Sequence, residues 1–213
     1  MRRFARAGGY FVVGLAALSG CARQSGPIQA VTSDYLPLRA GASWNFVRAD
    51  GSSYSLTAAG PVTRAGESAW RVDRSGGASE FYVVRSSVVL AEDAALAIPG
   101  LWYQWLQRPP VSGNRWDTAV PVNGPSGPGT FSYVGAVRDA GEQTTPAGRF
   151  SQCFELTVDA AYDLVPSPGA ARAHFRFVLA PGVGWIEREV STWDAAGGAL
   201  VVDAARLASY AIP

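Results

Sequence analysis

Histidine, cysteine and paired carboxylates are the residues that most often do chemistry, and in this chain they are sparse. The single histidine, His174, sits in Arg172-Ala173-His174-Phe175-Arg176-Phe177, where alternation groups it with Arg172 and Arg176 and against the two phenylalanines. That predicts a solvated strand face in preference to a catalytic base, and no serine stands in the context a Ser-His-Asp relay requires. Glu187 and Glu189 form an i, i+2 pair of the kind glycoside hydrolysis uses. Alternation puts any such pair on one strand face, here together with Trp185, so a solvated pair or partnership with nearby arginines is the stronger expectation. Cys153, in the strand-like run Gln152-Cys153-Phe154-Glu155-Leu156, has no neighbouring base to activate it and reads as a small buried thiol. These residues leave only scattered carboxylates as ligands, so no metal site is expected. No Gly-rich phosphate loop joins a strand to a helix, so nucleotide binding has no support either. No catalytic residue and no cofactor is expected.

The densest aromatic segment is Leu101-Trp102-Tyr103-Gln104-Trp105-Leu106, which falls between Pro99-Gly100 and Pro109-Pro110 and is not clearly a strand. Three large rings need cover from water. Either they plug one end of a sheet, or Trp102, Tyr103 and Trp105 border an apolar binding site as a mobile lip, a partner-binding patch or a sugar-stacking platform.

Cys21 points to chemistry of a different kind. Arg2, Arg3 and Arg6 precede an apolar stretch from Tyr10 to Leu18 that is too short to span a bilayer, and Leu18-Ser19-Gly20-Cys21 follows. The order resembles a bacterial lipoprotein signal peptide with its lipobox, which implies cleavage before Cys21 and acylation of its sulfur, palmitate being the natural label. Several acyl chains, at about 0.8 kcal/mol per buried CH₂, make a stable anchor. Ala22 replaces the aspartate usual for inner-membrane retention, so the expected address is the periplasmic face of the outer membrane. The expected organisation is a signal peptide over 1–20, a lipidated cysteine and flexible tether over 21–34, and a globular domain over 35–213. With three of the 18 basic residues and none of the 17 acidic ones in 1–20, removing that segment takes the formal charge from +1 to −2. Nucleic acid is therefore an unsuitable partner. Once Cys21 is lipidated, Cys153 has no intramolecular disulfide partner.

From Tyr35 onward short alternating runs are separated by Gly, Pro, Asp and Ser, the rhythm of an antiparallel β protein. Strands are predicted over 43–48, 53–58, 68–74, 80–85, 88–91, 116–120, 129–137, 150–160, 170–179, 184–192 and 200–207. The last is ambiguous with helix. Alternation places Trp44 with Phe46, Tyr54 with Leu56, Trp70 with Val72, and Phe131 with Tyr133 in the core, and strand entry adds Trp116. Asp50-Gly51 predicts a hairpin turn. Gly-x-x-Trp recurs at Gly41 to Trp44, Gly113 to Trp116 and Gly182 to Trp185. This is a strand-entry device in which glycine allows the turn and tryptophan takes the first inward position.

Three segments carry a family resemblance. The run from Tyr35 to Phe46, the turn Thr145-Pro146-Ala147-Gly148-Arg149-Phe150 leading to Cys153, and Ala180-Pro181-Gly182-Val183-Gly184-Trp185 resemble a group of uncharacterised bacterial envelope lipoproteins. The likeness covers roughly residues 35 to 192. Trp185 departs from the leucine usual there, and the C-terminal end is alanine-rich. The group resembles the LolA/LolB-like lipoprotein-carrier fold, which implies a mainly β domain: one strongly curved antiparallel sheet, a half-barrel of about 11 strands with little helix. Its concave face can hold acyl chains. The expected function is non-enzymatic binding of a lipid or acyl chain. The alternatives are a structural subunit of an envelope complex and, more distantly, a carbohydrate-binding or hydrolysing protein.

Overall fold

The computed structural model describes residues 34–92, 100–124, 127–163 and 171–213. The signal segment, Cys21 and nearly all of the tether lie outside the described residues. Alternating runs with turn residues between them give twelve strands: β1 (Ser43–Arg48), β2 (Ser53–Arg64), β3 (Glu67–Arg74), β4 (Glu80–Val84), β5 (Val88–Glu92), β6 (Trp102–Gln107), β7 (Arg115–Gly124), β8 (Gly127–Thr145), β9 (Gly148–Asp163), β10 (Arg172–Ala180), β11 (Gly184–Trp193) and β12 (Ala199–Ala211). Among the described residues there is no helix.

All twelve strands belong to one antiparallel sheet in the order β6-β5-β4-β3-β2-β1-β12-β11-β10-β9-β8-β7. Only β1 with β12 pairs strands that are not consecutive, so the chain is a meander with its two sequence-adjacent strands, β6 and β7, at the edges. The sheet curls until these edges meet. There, the Gln104 backbone N–H donates to the Tyr133 hydroxyl (3.1 Å) and the Trp116 indole donates to the Gln104 carbonyl (2.9 Å). Side chains thus satisfy edge groups that would otherwise be unpaired, and the half-barrel expectation extends to a nearly closed barrel.

The predicted strong curvature is present, with one strand more than the eleven expected. The extra strand is β6, the aromatic segment itself, paired with β5 from Val88↔Gln107 to Glu92↔Trp102. A bulge between Val89 and Leu90 breaks its alternation, so Trp105 and Leu106 are both buried. That irregularity hid the strand in the sequence. The ambiguous C-terminal segment is β12.

Trp44, Phe46, Leu56 and Phe131 are fully buried, and Tyr54, Val72 and Tyr133 join them in one core. Trp70 and Trp116 correct the expected list, since both are only partly buried at its margin. A bulge between Ala58 and Gly60 disturbs the register opposite β3. Trp116, on an edge strand, lies across Gly135, where an added Cβ would come within 2.0 Å of the indole.

One end of the barrel is plugged. Tyr35, Leu36 and Leu38 are buried. The Tyr35 hydroxyl donates to the Gln152 carbonyl (2.9 Å), the Gly182 N–H to the Asp34 carbonyl (2.9 Å), and the Trp44 indole to the Val183 carbonyl (2.6 Å). Two of the three segments that carry the family resemblance thus belong to this plug and the β10–β11 turn beneath it, while the third, Thr145 to Cys153, forms the β8–β9 turn and the start of β9. Gly41, Gly113 and Gly182, which open the three Gly-x-x-Trp entries, have φ of +85°, +91° and +71°, a region a side chain would disfavour.

Candidate functional site

The end of the barrel away from the plug holds an interior cavity of about 270 Å³. Register explains its walls. Phe177 pairs with Arg188 and Phe175 with Val190 across β10 and β11, while Tyr82 pairs with Ala91, and Ala91 with Tyr103, across β4, β5 and β6. Partners in register share a face, so these side chains converge inward with Trp105. The Trp105 ring lies 5.5 Å from Tyr82, 5.4 Å from Phe177 and 6.1 Å from Trp185 between centroids, packing that fixes its rotamer.

Arg188 is the unexpected member of this apolar wall. Its side chain is only 6% exposed and reaches Glu80 at 2.7 Å through Nη2. The other Glu80 oxygen accepts the Tyr82 hydroxyl at 2.6 Å. Among the described residues Arg188 Nε and Nη1 have no hydrogen-bond partner, and neither has the buried Trp185 indole nitrogen. The guanidinium carbon sits 5.4 Å from the Trp185 ring and 5.5 Å from that of Phe177. Burial works against the Arg188 charge, but Glu80, Tyr82 and Tyr54 outweigh it and hold the pKa above the ordinary arginine value. Burial also pushes the Tyr82 hydroxyl well up, with Glu80 adding to it. Beside them, Asp203 accepts from Arg48 (2.6 Å) and Arg74 (2.5 Å), whose guanidinium carbons lie 4.8 and 4.1 Å from the Tyr54 ring. Glu92 also reaches the cavity wall but is occupied by Arg64 (3.1 Å) and the Gly100 N–H (2.5 Å).

The three candidate site residues divide between faces. Tyr103 and Trp105 line the cavity, whereas Trp102, paired with Glu92, alternates to the other side of β6 and is half-buried. Arg188, Glu80 and Tyr82 were not anticipated. Arg188 shares strand parity with Ile186 and Val190, an inward position for a charge, and that was the available signal. It was masked by Trp185, which the alternation argument grouped with Glu187 and Glu189. Consecutive Val178 and Leu179 pair with Glu187 and Trp185, so Ile186 is an extra residue in β11, and Trp185 and Ile186 are buried together. The two glutamates face outward, Glu187 bonding Arg176 (3.2 Å) and Arg206 (2.9 Å).

A larger groove of about 550 Å³ on the outer face is lined by Ser132, Asp159, His174 and Trp193. His174 Nδ1 lies 2.7 Å from an exposed Asp159 oxygen. Ser191 is its register partner on β11, yet no hydrogen bond joins the two among the described residues. Cys153 is fully buried, and burial raises its pKa to about 11, which keeps it a thiol. The described residues contain no group of three or more potential metal ligands. Among the described residues, the interior cavity combines apolar walls with Arg188 donors that lack an acceptor.

No family model and no curated protein matches the chain. Among solved structures it is similar to a "putative lipoprotein" of Parabacteroides distasonis, at 14% identity over 85% of this chain and 100% of that one, with a TM-score of 0.49. It is also similar to a "putative exported protein with YmcC-like fold" of Bacteroides fragilis, at 11% identity over 82% and 97% of the two chains, with a TM-score of 0.47. Likeness at this level says nothing about ligand or activity.

Proposed function

We propose that this is a non-enzymatic envelope lipoprotein, anchored through Cys21 at the periplasmic face of the outer membrane, that binds an apolar ligand inside its barrel. The cavity walled by Tyr103, Trp105, Phe175 and Phe177 carries this reading. Ligand sites usually span about 300–1,000 Å³, so about 270 Å³ fits one short acyl chain or ring and not a two-chain lipid. The plug makes the interior a pocket with a floor, where an open concave sheet was expected.

Titration of the soluble domain with a fluorescent fatty-acid probe should show saturable binding that Trp105→Ala weakens and Trp102→Ala leaves alone, since only the first ring lines the cavity. Absence of binding to the wild type would overturn the reading. Labelled palmitate should enter the full chain and not Cys21→Ala; equal incorporation would remove the anchor.

A second reading, a subunit of an envelope assembly, is favoured by Leu200, Val201 and Val202 on β12, which are 50%, 49% and 70% exposed. It predicts that Val202→Asp abolishes self-association or co-purification of a partner without affecting probe binding.

A further inference from the structure

We infer that the cavity selects ligands carrying an acidic group, a carboxylate or phosphate monoester at the end of a short apolar chain, and that Arg188 receives it. This rests on the reading of the cavity as a binding site and adds the chemical class of what it binds. The side chain of Arg188 is 94% buried, lines the cavity and, among the described residues, bonds an acceptor through Nη2 alone. Buried donors are almost always satisfied, and one left without an acceptor costs more than an average hydrogen bond gains. Here two guanidinium nitrogens of a cavity-lining residue lack one among the described residues. Two guanidinium donors with no acceptor form a complement to an anion. Glu80 does not fill the role: its oxygens accept from Arg188 Nη2 and the Tyr82 hydroxyl, and neither bonds Nε or Nη1. The guanidinium is charged at every physiological pH, so an acidic group brought to it forms a charge-assisted pair in a site walled by Trp105 and Phe177. Polarity along the cavity follows from strand position. Arg188 stands midway along β11, while Val190 and Thr192, which also line the cavity, lie further from the plug. The acidic group therefore points inward and the apolar chain toward the unplugged end.

The competing occupant is water, which would satisfy the same donors without preference for charge. Calorimetric titration of the soluble domain with decanoate, decyl phosphate, decanol and decylammonium separates the cases. Decanoate or decyl phosphate binding about ten- to hundredfold tighter than decanol, the range of one charge-assisted hydrogen bond, with decylammonium weakest, is the expected result. The tighter of the two anions then identifies carboxylate or phosphate as the natural head. Equal binding of decanol and both anions would overturn the anion site and leave the apolar cavity standing. Binding of none of the four would overturn both. The double variant Glu80→Gln/Arg188→Met, which removes the buried pair without orphaning a charge, should bind decanol as before and lose the preference for the anions. A retained preference would place the anion elsewhere. Should that variant not fold by circular dichroism, the wild-type series decides alone.

Discussion

Trp44 and Trp185 meet edge to face, 5.0 Å apart and at 81°, and both are fully buried. Both enter their strands through the same Gly-x-x-Trp device, yet they stand at the boundary of two different regions. The Trp44 indole donates to Val183 at 2.6 Å, and the plug around it closes on itself through Tyr35, Leu36 and Leu38. The Trp185 indole has no acceptor among the described residues, and beyond it come Arg188, Glu80 and the Asp203 cluster. A region that satisfies its donors and packs apolar side chains gains stability. One that keeps buried donors open gives stability up, and such losses concentrate at functional sites. The plug and the cavity end therefore differ in how their buried donors are satisfied as well as in composition.

The largest test of that difference is Trp44→Ala. Truncating a fully buried tryptophan costs about 3–5 kcal/mol, and here the Val183 carbonyl also loses its donor. A melting temperature within a few degrees of wild type would show that the plug is not a stability element. Next comes Arg188→Met, which strands Glu80 in the interior and should cost about 3 kcal/mol. Adding Glu80→Gln should recover most of that loss in denaturant titration. If the single and double variants were equally unstable, Arg188 would be supporting the fold by packing and the contrast between the ends would weaken. Gly135→Ala acts at the seam: its Cβ would fall 2.0 Å from the Trp116 indole, and displacement of that ring should cost about 1–3 kcal/mol. Because Trp116 also bonds Gln104 on the opposite edge, exchange of the amides of β6 and β7 should rise with it. Unchanged protection there would mean the barrel closes by other contacts.

The rhythm of the fold was legible in the chain. The predicted 43–48 is β1 to the residue, and Asp50-Gly51 lies in the β1–β2 turn with Gly51 at φ +82°. Legibility failed where hydrogen bonding continues through polar sequence. Arg138-Asp139-Ala140-Gly141-Glu142 reads as loop, yet β8 runs to Thr145 by absorbing register shifts around Gly141. Aromatic density brought out Tyr103 and Trp105, because large rings need a partner or a cavity whatever the fold. Arg188 was masked for a physical reason: its parity with Ile186 and Val190 points inward, but a bulge leaves Ile186 as an extra residue in β11 and buries Trp185 as well, so strict alternation along the strand misleads. Long-range closure of β12 on β1 likewise leaves no mark in local periodicity.

The smallest expected effect concerns acid. The Arg48 hydrogen bond, with Arg74 behind it, holds the Asp203 carboxyl below its ordinary 3.8 despite its burial. Burial pushes Glu155 up, but Arg138 and Arg176 prevail and hold it below its ordinary 4.5. A carboxylate whose folded pKa is depressed stabilises the protein fully above its unfolded value, and that contribution is lost as pH falls through the folded value. Melting temperature should therefore be flat with respect to these two groups from neutrality down to pH about 5 and decline below about 4. Asp203 lies at the cavity end and Glu155 on the outer face, whereas the plug is held mainly by apolar packing and uncharged hydrogen bonds, with Asp34 making a long 3.5 Å pair with Arg108 and accepting the Leu36 N–H. Acid should thus loosen the amides of Arg48 and its neighbours in β12 before those of Gly41 and Gly182, which bond Ala58 and Asp34. Asp203→Asn should lower stability at pH 7 and shrink the acid decline. Hydrogen exchange at pH 3 that rises evenly at both ends would show that the two regions unfold as one unit, and the division between plug and cavity would then hold for packing but not for local stability.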